Sequence, residues 1–257
     1  MRRIFLVSII ITIAARLCAA DPTLTNYPAD DCLGTAKPYP VPEHITETPD
    51  SLTPIFINHV GRHGARFPSS STPVEKLLSH LHRADSAGTL TPLGRAVLEA
   101  VNMVAEASHN RWGALDSLGM AEQRGIASRM FRLFPALFRD QTVSAISSYA
   151  PRCVMSMYEF THQLDRLNNH VEIITTAGRQ NSPLMRPFDL DKAYIEWRAE
   201  KAWEQPYDML YETAVPAAPA RRFINDPAMS AADAREISLL GFTVLRGIPA
   251  MGRSIDL

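Results

Sequence analysis

Residues 56–70 read FINHVGRHGARFPSS. An apolar run opened by Thr53-Pro54 leads into a histidine between two arginines, and Pro68 closes the stretch. The run reads as a buried strand ending near Val60. In open α/β sheets ligands collect beyond the carboxyl ends of the strands, so such a strand delivers Arg62-His63-Gly64-Ala65-Arg66 to the edge where sites form. A guanidinium is permanently charged, and its planar donor fork matches phosphate oxygens two at a time. Arg62 and Arg66 thus make an anion pocket with His63 at its floor. Their charge disfavours the imidazolium, which keeps His63 neutral and able to attack a phosphoryl group. Gly64 lets the backbone turn and come close to a ligand. His59 precedes His63 by four residues, about 13 Å along a strand, too far to share a metal ion, so it reads as a packing residue.

Outward from this stretch the signals alternate. Thr72 as N-cap, Pro73 at the first helical position and Glu75 closing a capping box start a helix that carries Val74, Leu77, Leu78 and Leu81 on one face and stops at Gly88. Thr91-Pro92 opens a second helix to about His109, and Asp116 or Ser117 a third to about Phe134. A strand over 142–148, a helix over 153–167 and a strand over 171–176 follow. This order predicts an α/β fold with parallel strands joined by right-handed crossovers. From Pro183 the texture changes to aromatics among charges, then the loop AVPAAPA and a helix over 230–245, which predicts a separate, mostly helical lobe.

Composition is that of a globular chain: 257 residues, 46% hydrophobic and 21% charged. Arg2-Arg3, an apolar run over 4–15 and Ala19-Ala20 before Asp21 make the charged, apolar and small-residue order of a secretory signal peptide. Its removal takes away three arginines, moving the formal net charge from −1 to about −4. A basic field for nucleic acid is missing, so an anionic ligand must be held by a local cluster. Cys32 and Cys153 would survive processing, and their spacing does not say whether they pair.

Arg62–Pro68, RHGARFP, is the signature of the histidine acid phosphatases, and with Ala65 and Phe67 inside it the chain most resembles the multiple inositol polyphosphate phosphatase branch. Residues 115–138, LDSLGMAEQRGIASRMFRLFPALF, are similar to the family's Leu-x-x-Gly helix. Residues 147–157, SSYAPRCVMSM, are similar to the strand-to-helix turn that supplies a third phosphate-binding arginine, here Arg152. LMRPFDLDKAY at 184–194 is similar to the entry into the branch's helical cap, with Arg186 as a candidate substrate contact.

The resemblance implies a three-layer, phosphoglycerate-mutase-like core with a mainly parallel sheet, over 21–182 after the signal peptide 1–20, and the start of a helical cap over 183–257. It implies a secreted or periplasmic phosphomonoesterase for inositol polyphosphates such as phytate, with no metal or cofactor and no membrane partner after cleavage. His63 would become phosphorylated, with Arg62, Arg66 and Arg152 binding the phosphate. The family's second histidine, followed by an acid, serves as proton donor; here the last histidine is His170, and no donor is found. The expectation is therefore an N-terminal part of a longer protein whose core is completed by later strands. A non-catalytic phosphate-binding relative is the alternative, and a mutase-like transferase fits the signal peptide poorly. Oligomeric state is not legible. The exported chain is expected to begin near Asp21; N-terminal sequencing checks this, and an intact Met1 on a cytoplasmic product would contradict it.

Overall fold

The computed structural model describes residues 29–46, 48–168 and 170–254. The expected signal peptide, 1–20, lies outside the described residues. The chain divides into two compact units, Met1–Lys37 and Pro38–Leu257. In the first, Ala29–Ala36 forms a 3-10 stretch kinked at Gly34, and Lys37 pairs with Asp31 at 2.7 Å.

In the second unit, helix α1 spans Thr72–Ser86, α2 Pro92–Ser108 and α3 Ser117–Leu133. Strand β1 (Thr142–Ser147), helix α4 (Pro151–Leu167) and strand β2 (Glu172–Ala177) follow. The strands pair in parallel, Ser147 opposite Ala177, with α4 as the crossover a parallel pair requires. Then come the short α5 (Ser182–Met185), α6 (Lys192–Glu200), α7 (Glu204–Ala214), α8 (Ala218–Phe223) and α9 (Ala231–Leu245). The architecture is mixed α/β, dominated by helix, around a small two-stranded parallel sheet. Among the described residues, no helix is long and apolar enough to cross a membrane.

Local chemistry fixes most helix ends. Asp116 accepts from the Gly119 N–H at 2.8 Å and caps α3. Gly88, with φ +69°, closes α1: its N–H reaches the Asp85 carbonyl and the Thr89 N–H reaches that of Ala84, so the last carbonyls are satisfied. The start of α1 differs from expectation. Ser71 already has helical dihedrals and its carbonyl takes the Glu75 N–H, so the helix begins one residue earlier than a Thr72 cap would place it. The capping box does not form.

Two apolar clusters organise this unit. The larger joins Val74, Leu77 and Leu81 of α1, Val97, Val101 and Val104 of α2, Ala220 of α8, and Ile237 and Val244 of α9, with Ile248 beyond it. The smaller sets Ala127 of α3 and Leu164 of α4 against Phe138 and Val171, with Val143 and Ile173 from the strands. The segment after 183 thus divides in space: α8 and α9 share the core of α1 and α2, whereas α6 and α7 bury no residue and leave Trp197, Trp203, Tyr207, Met209 and Leu210 exposed.

The expected strand over 55–60 is not formed. Ile57 packs on the smaller cluster and His59 stacks on Phe160 of α4 at 5.2 Å, so alternate residues do face the protein as in a strand. No ladder pairs the segment with β1 or β2, and Ile55, Phe56 and Val60 stand exposed. The sheet is covered on one face only, and Ile146 and Ile174 are exposed on the other. Among the described residues there is therefore no third layer.

The start of α2 is tied to the end of α8. Thr91 Oγ1 accepts from the Gly94 N–H at 2.9 Å and donates to the Arg222 carbonyl at 2.7 Å. Thr91→Ala is expected to cost about 1–2 kcal/mol in urea unfolding, and Thr72→Ala, at an exposed site that caps nothing, less than about 0.5 kcal/mol.

Candidate functional site

The loop after Gly61 is pinned by α3 and α4. Gly64 is buried, and its N–H donates to Ser156 Oγ at 3.1 Å; that hydroxyl in turn donates to the Arg152 carbonyl at 2.8 Å, one turn back along α4. Gln123 Nε2 donates to the Arg62 carbonyl at 3.1 Å, and Glu122 Oε2 accepts from the Ala65 N–H at 2.7 Å. The Asp116 N–H reaches the Ala65 carbonyl at 3.2 Å, and Phe67 N–H that of Ala114 at 3.0 Å. Backbone meets backbone here: a Cβ on Gly64 would run into the Gly119 carbonyl and Cα, and one on Gly119 into the Ala65 carbonyl and nitrogen. Both positions need glycine because nothing larger fits the approach.

His63 is half-buried, and its Nδ1 lies 2.8 Å from the Gly64 carbonyl. A carbonyl can only accept, so Nδ1 carries a proton, and in the neutral ring Nε2 is the nitrogen with the lone pair. Burial is the main reason the imidazole is held below its ordinary 6.5; the Gly64 carbonyl opposes the shift, and the charges of Arg152, Arg62 and Arg66 add to it. Arg66 too is pushed below the usual guanidinium range, by burial first and then by Arg152 and Arg62. The structure thus gathers the four expected residues into one electrostatic cluster. Arg66 Nη1 is steadied by Ser69 Oγ at 2.7 Å and the Phe67 carbonyl at 3.1 Å. Arg152, at the N-terminal turn of α4, has its Nε buried with no hydrogen-bond partner among the described residues.

Arg186 is placed elsewhere. Its Nε and Nη2 grip Asp189 at 2.6 and 3.1 Å, and its guanidinium lies over the rings of Tyr149 and Phe188. The candidate substrate contact is thus engaged in an ion pair with Asp189. The i,i+3 spacing of Arg186 and Asp189 within a tight turn is the signal that could have shown it.

Sequence reading missed Ser156, Gln123 and Glu122, which hold the loop. Each is placed by helical spacing: Ser156 one turn after Arg152, and Glu122 and Gln123 one turn after Gly119. Cys153, next to Arg152, is a free thiol, as is Cys32.

No protein-family model matches the chain, and no curated protein does. The chemistry of the site therefore rests on its own geometry. Three like charges around an imidazole whose protonation they disfavour, with a buried donor left over, are chemistry suited to a tetrahedral oxyanion, whose binding would relieve their repulsion. His63 should titrate below 6.5 by NMR, and Arg152→Ala should move that titration upward toward 6.5. An unchanged titration would place Arg152 outside the cluster.

Proposed function

We propose that this chain belongs to a phosphomonoesterase that works through a phosphohistidine and acts on inositol polyphosphates, phytate among them, in a secreted or periplasmic setting. The observation that carries the reading is the setting of His63: its Nδ1 is engaged by the Gly64 carbonyl, and burial with the charges of Arg152, Arg62 and Arg66 holds the imidazole below its ordinary 6.5. The RHGARFP signature supports the family, and the parallel β1–α4–β2 unit supports a phosphoglycerate-mutase-like core as part of the same proposal.

The reaction divides into two transfers. Nε2 attacks phosphorus in line with the ester oxygen; the N–P bond forms as the P–O bond breaks, and the ester oxygen leaves with the bonding pair and takes up a proton. Water then attacks the phosphohistidine; the N–P bond breaks with its electrons returning to Nε2, a proton is released from the water, and inorganic phosphate departs. Through both steps the equatorial oxygens lie against Arg62, Arg66 and Arg152, whose charges are already in place and need no reorganisation.

One observation favours the alternative, a phosphate-binding relative without turnover. Glu122, the carboxylate bonded to the loop, gives both oxygens to backbone donors, Oε2 to Ala65 and Oε1 to Tyr39 at 2.7 Å each, and presents no acid to an ester oxygen. General acid catalysis contributes roughly 100-fold to 10,000-fold, so esters with poor leaving groups suffer most from its loss.

Incubation with p-nitrophenyl phosphate, whose leaving group departs without protonation, should yield turnover that persists in chelator, with an acid-labile, base-stable phosphate on the protein after quenching. His63→Ala should abolish both signals, and Arg62→Ala or Arg152→Ala should each lower the rate ~100-fold, about 3 kcal/mol. Phosphate binding without any phosphoprotein would favour the non-catalytic reading, and loss of turnover on chelation alone would sink the phosphohistidine.

A further inference from the structure

Tyr149, three residues before Arg152, has two guanidinium groups over its ring: the Cζ of Arg179 at 4.5 Å and that of Arg186 at 5.2 Å from the centroid. The two are not equivalent. Arg186 is hydrogen-bonded to Asp189, which also accepts the Tyr149 hydroxyl at 2.9 Å and feels the charge of Arg179 more weakly. The Arg179 guanidinium donates no hydrogen bond among the described residues; it is exposed and rests on the aromatic face.

The sheet sets where this cation stands. Ser147 and Ala177 are register partners at the carboxyl ends of β1 and β2, so Tyr149 and Arg179 each lie two residues past the same sheet edge. Gly178, with φ +144°, turns the chain there, and Asn181 Nδ2 ties the turn back to the Ser147 carbonyl at 2.9 Å. From Tyr149 the chain runs on to Arg152, at most about 11 Å away even if fully extended. Two arginines with unspent donors, Arg152 and Arg179, therefore border one sheet edge, and one phosphate need not serve both. A ring carrying several phosphates can.

We propose that Arg179, presented on the Tyr149 ring, binds a second phosphate group of a polyphosphorylated ligand whose first phosphate lies among Arg62, Arg66 and Arg152. Asp189 sets the strength of this subsite by holding Arg186 in an ion pair. The inference rests on the phosphate-pocket reading of His63, and the shared chemistry is a second phosphomonoester beside the first.

Calorimetric titration of the full chain with myo-inositol hexakisphosphate and with inorganic phosphate tests it. Arg179→Ala should weaken hexakisphosphate binding ~10-fold, the loss of one charge-assisted contact, and leave inorganic phosphate unchanged. Asp189→Asn should tighten hexakisphosphate alone. Circular dichroism should match wild type in both variants, since neither side chain is buried. Hexakisphosphate affinity unchanged in Arg179→Ala, or an equal fall for both ligands, overturns the subsite. Arg152→Ala separates the underlying reading: it should abolish inorganic phosphate binding, and if it does not while Arg179→Ala still weakens hexakisphosphate, the pocket at His63 is wrong and the Arg179 contact stands. A wild-type chain that binds neither ligand overturns both.

Discussion

Three permanent charges and an imidazole share one electrostatic cluster, and a single hydroxyl ties together the two segments that carry them. Ser156 Oγ accepts from the Gly64 N–H and donates to the Arg152 carbonyl. It thereby joins the loop that carries Arg62, His63 and Arg66 to the helix start that carries Arg152. The Gly64–Gly119 approach supplies the second clamp, because helix α3 can press against the loop only where both residues lack a Cβ. Remove either clamp and Coulomb repulsion favours separation of the arginines, since a guanidinium does not give up its proton.

How far the sequence is legible depends on whether an interaction is local. Helices α2 and α3 start where Thr91 and Asp116 say they should, because a cap is settled within three residues. The β1–α4–β2 unit is legible from apolar periodicity and from the length that a parallel crossover requires. Ser71 displaced Thr72 because the two are chemically interchangeable as helix starters and backbone dihedrals decided between them. The apolar run 55–57 reads as a strand by composition, but a strand exists only through its neighbours, and pairing is a long-range property that no window of residues contains.

The site shows the same division. His63 and its flanking arginines were legible as a chemical pattern, and Arg152 as a residue at the turn after a strand. Their gathering into one cluster depends on Glu122, Gln123 and Ser156, ordinary helix-surface residues by sequence, whose roles come from how α3 and α4 pack. Arg186 went the other way: an arginine with a candidate role is spent on a carboxylate three residues along the chain.

The bonds that build the pocket also connect distant parts of the chain. Gly64 and Ser156 are 92 residues apart in sequence, and Ala65 and Glu122 57. Closing contacts of that separation costs loop entropy before the contact repays it. An oxyanion bound across the loop and the start of α4 would act as a cross-link that only the closed form possesses, raising stability with the logarithm of its concentration. Phosphate in the surrounding medium would then be part of what folds this protein, quite apart from any chemistry done on it.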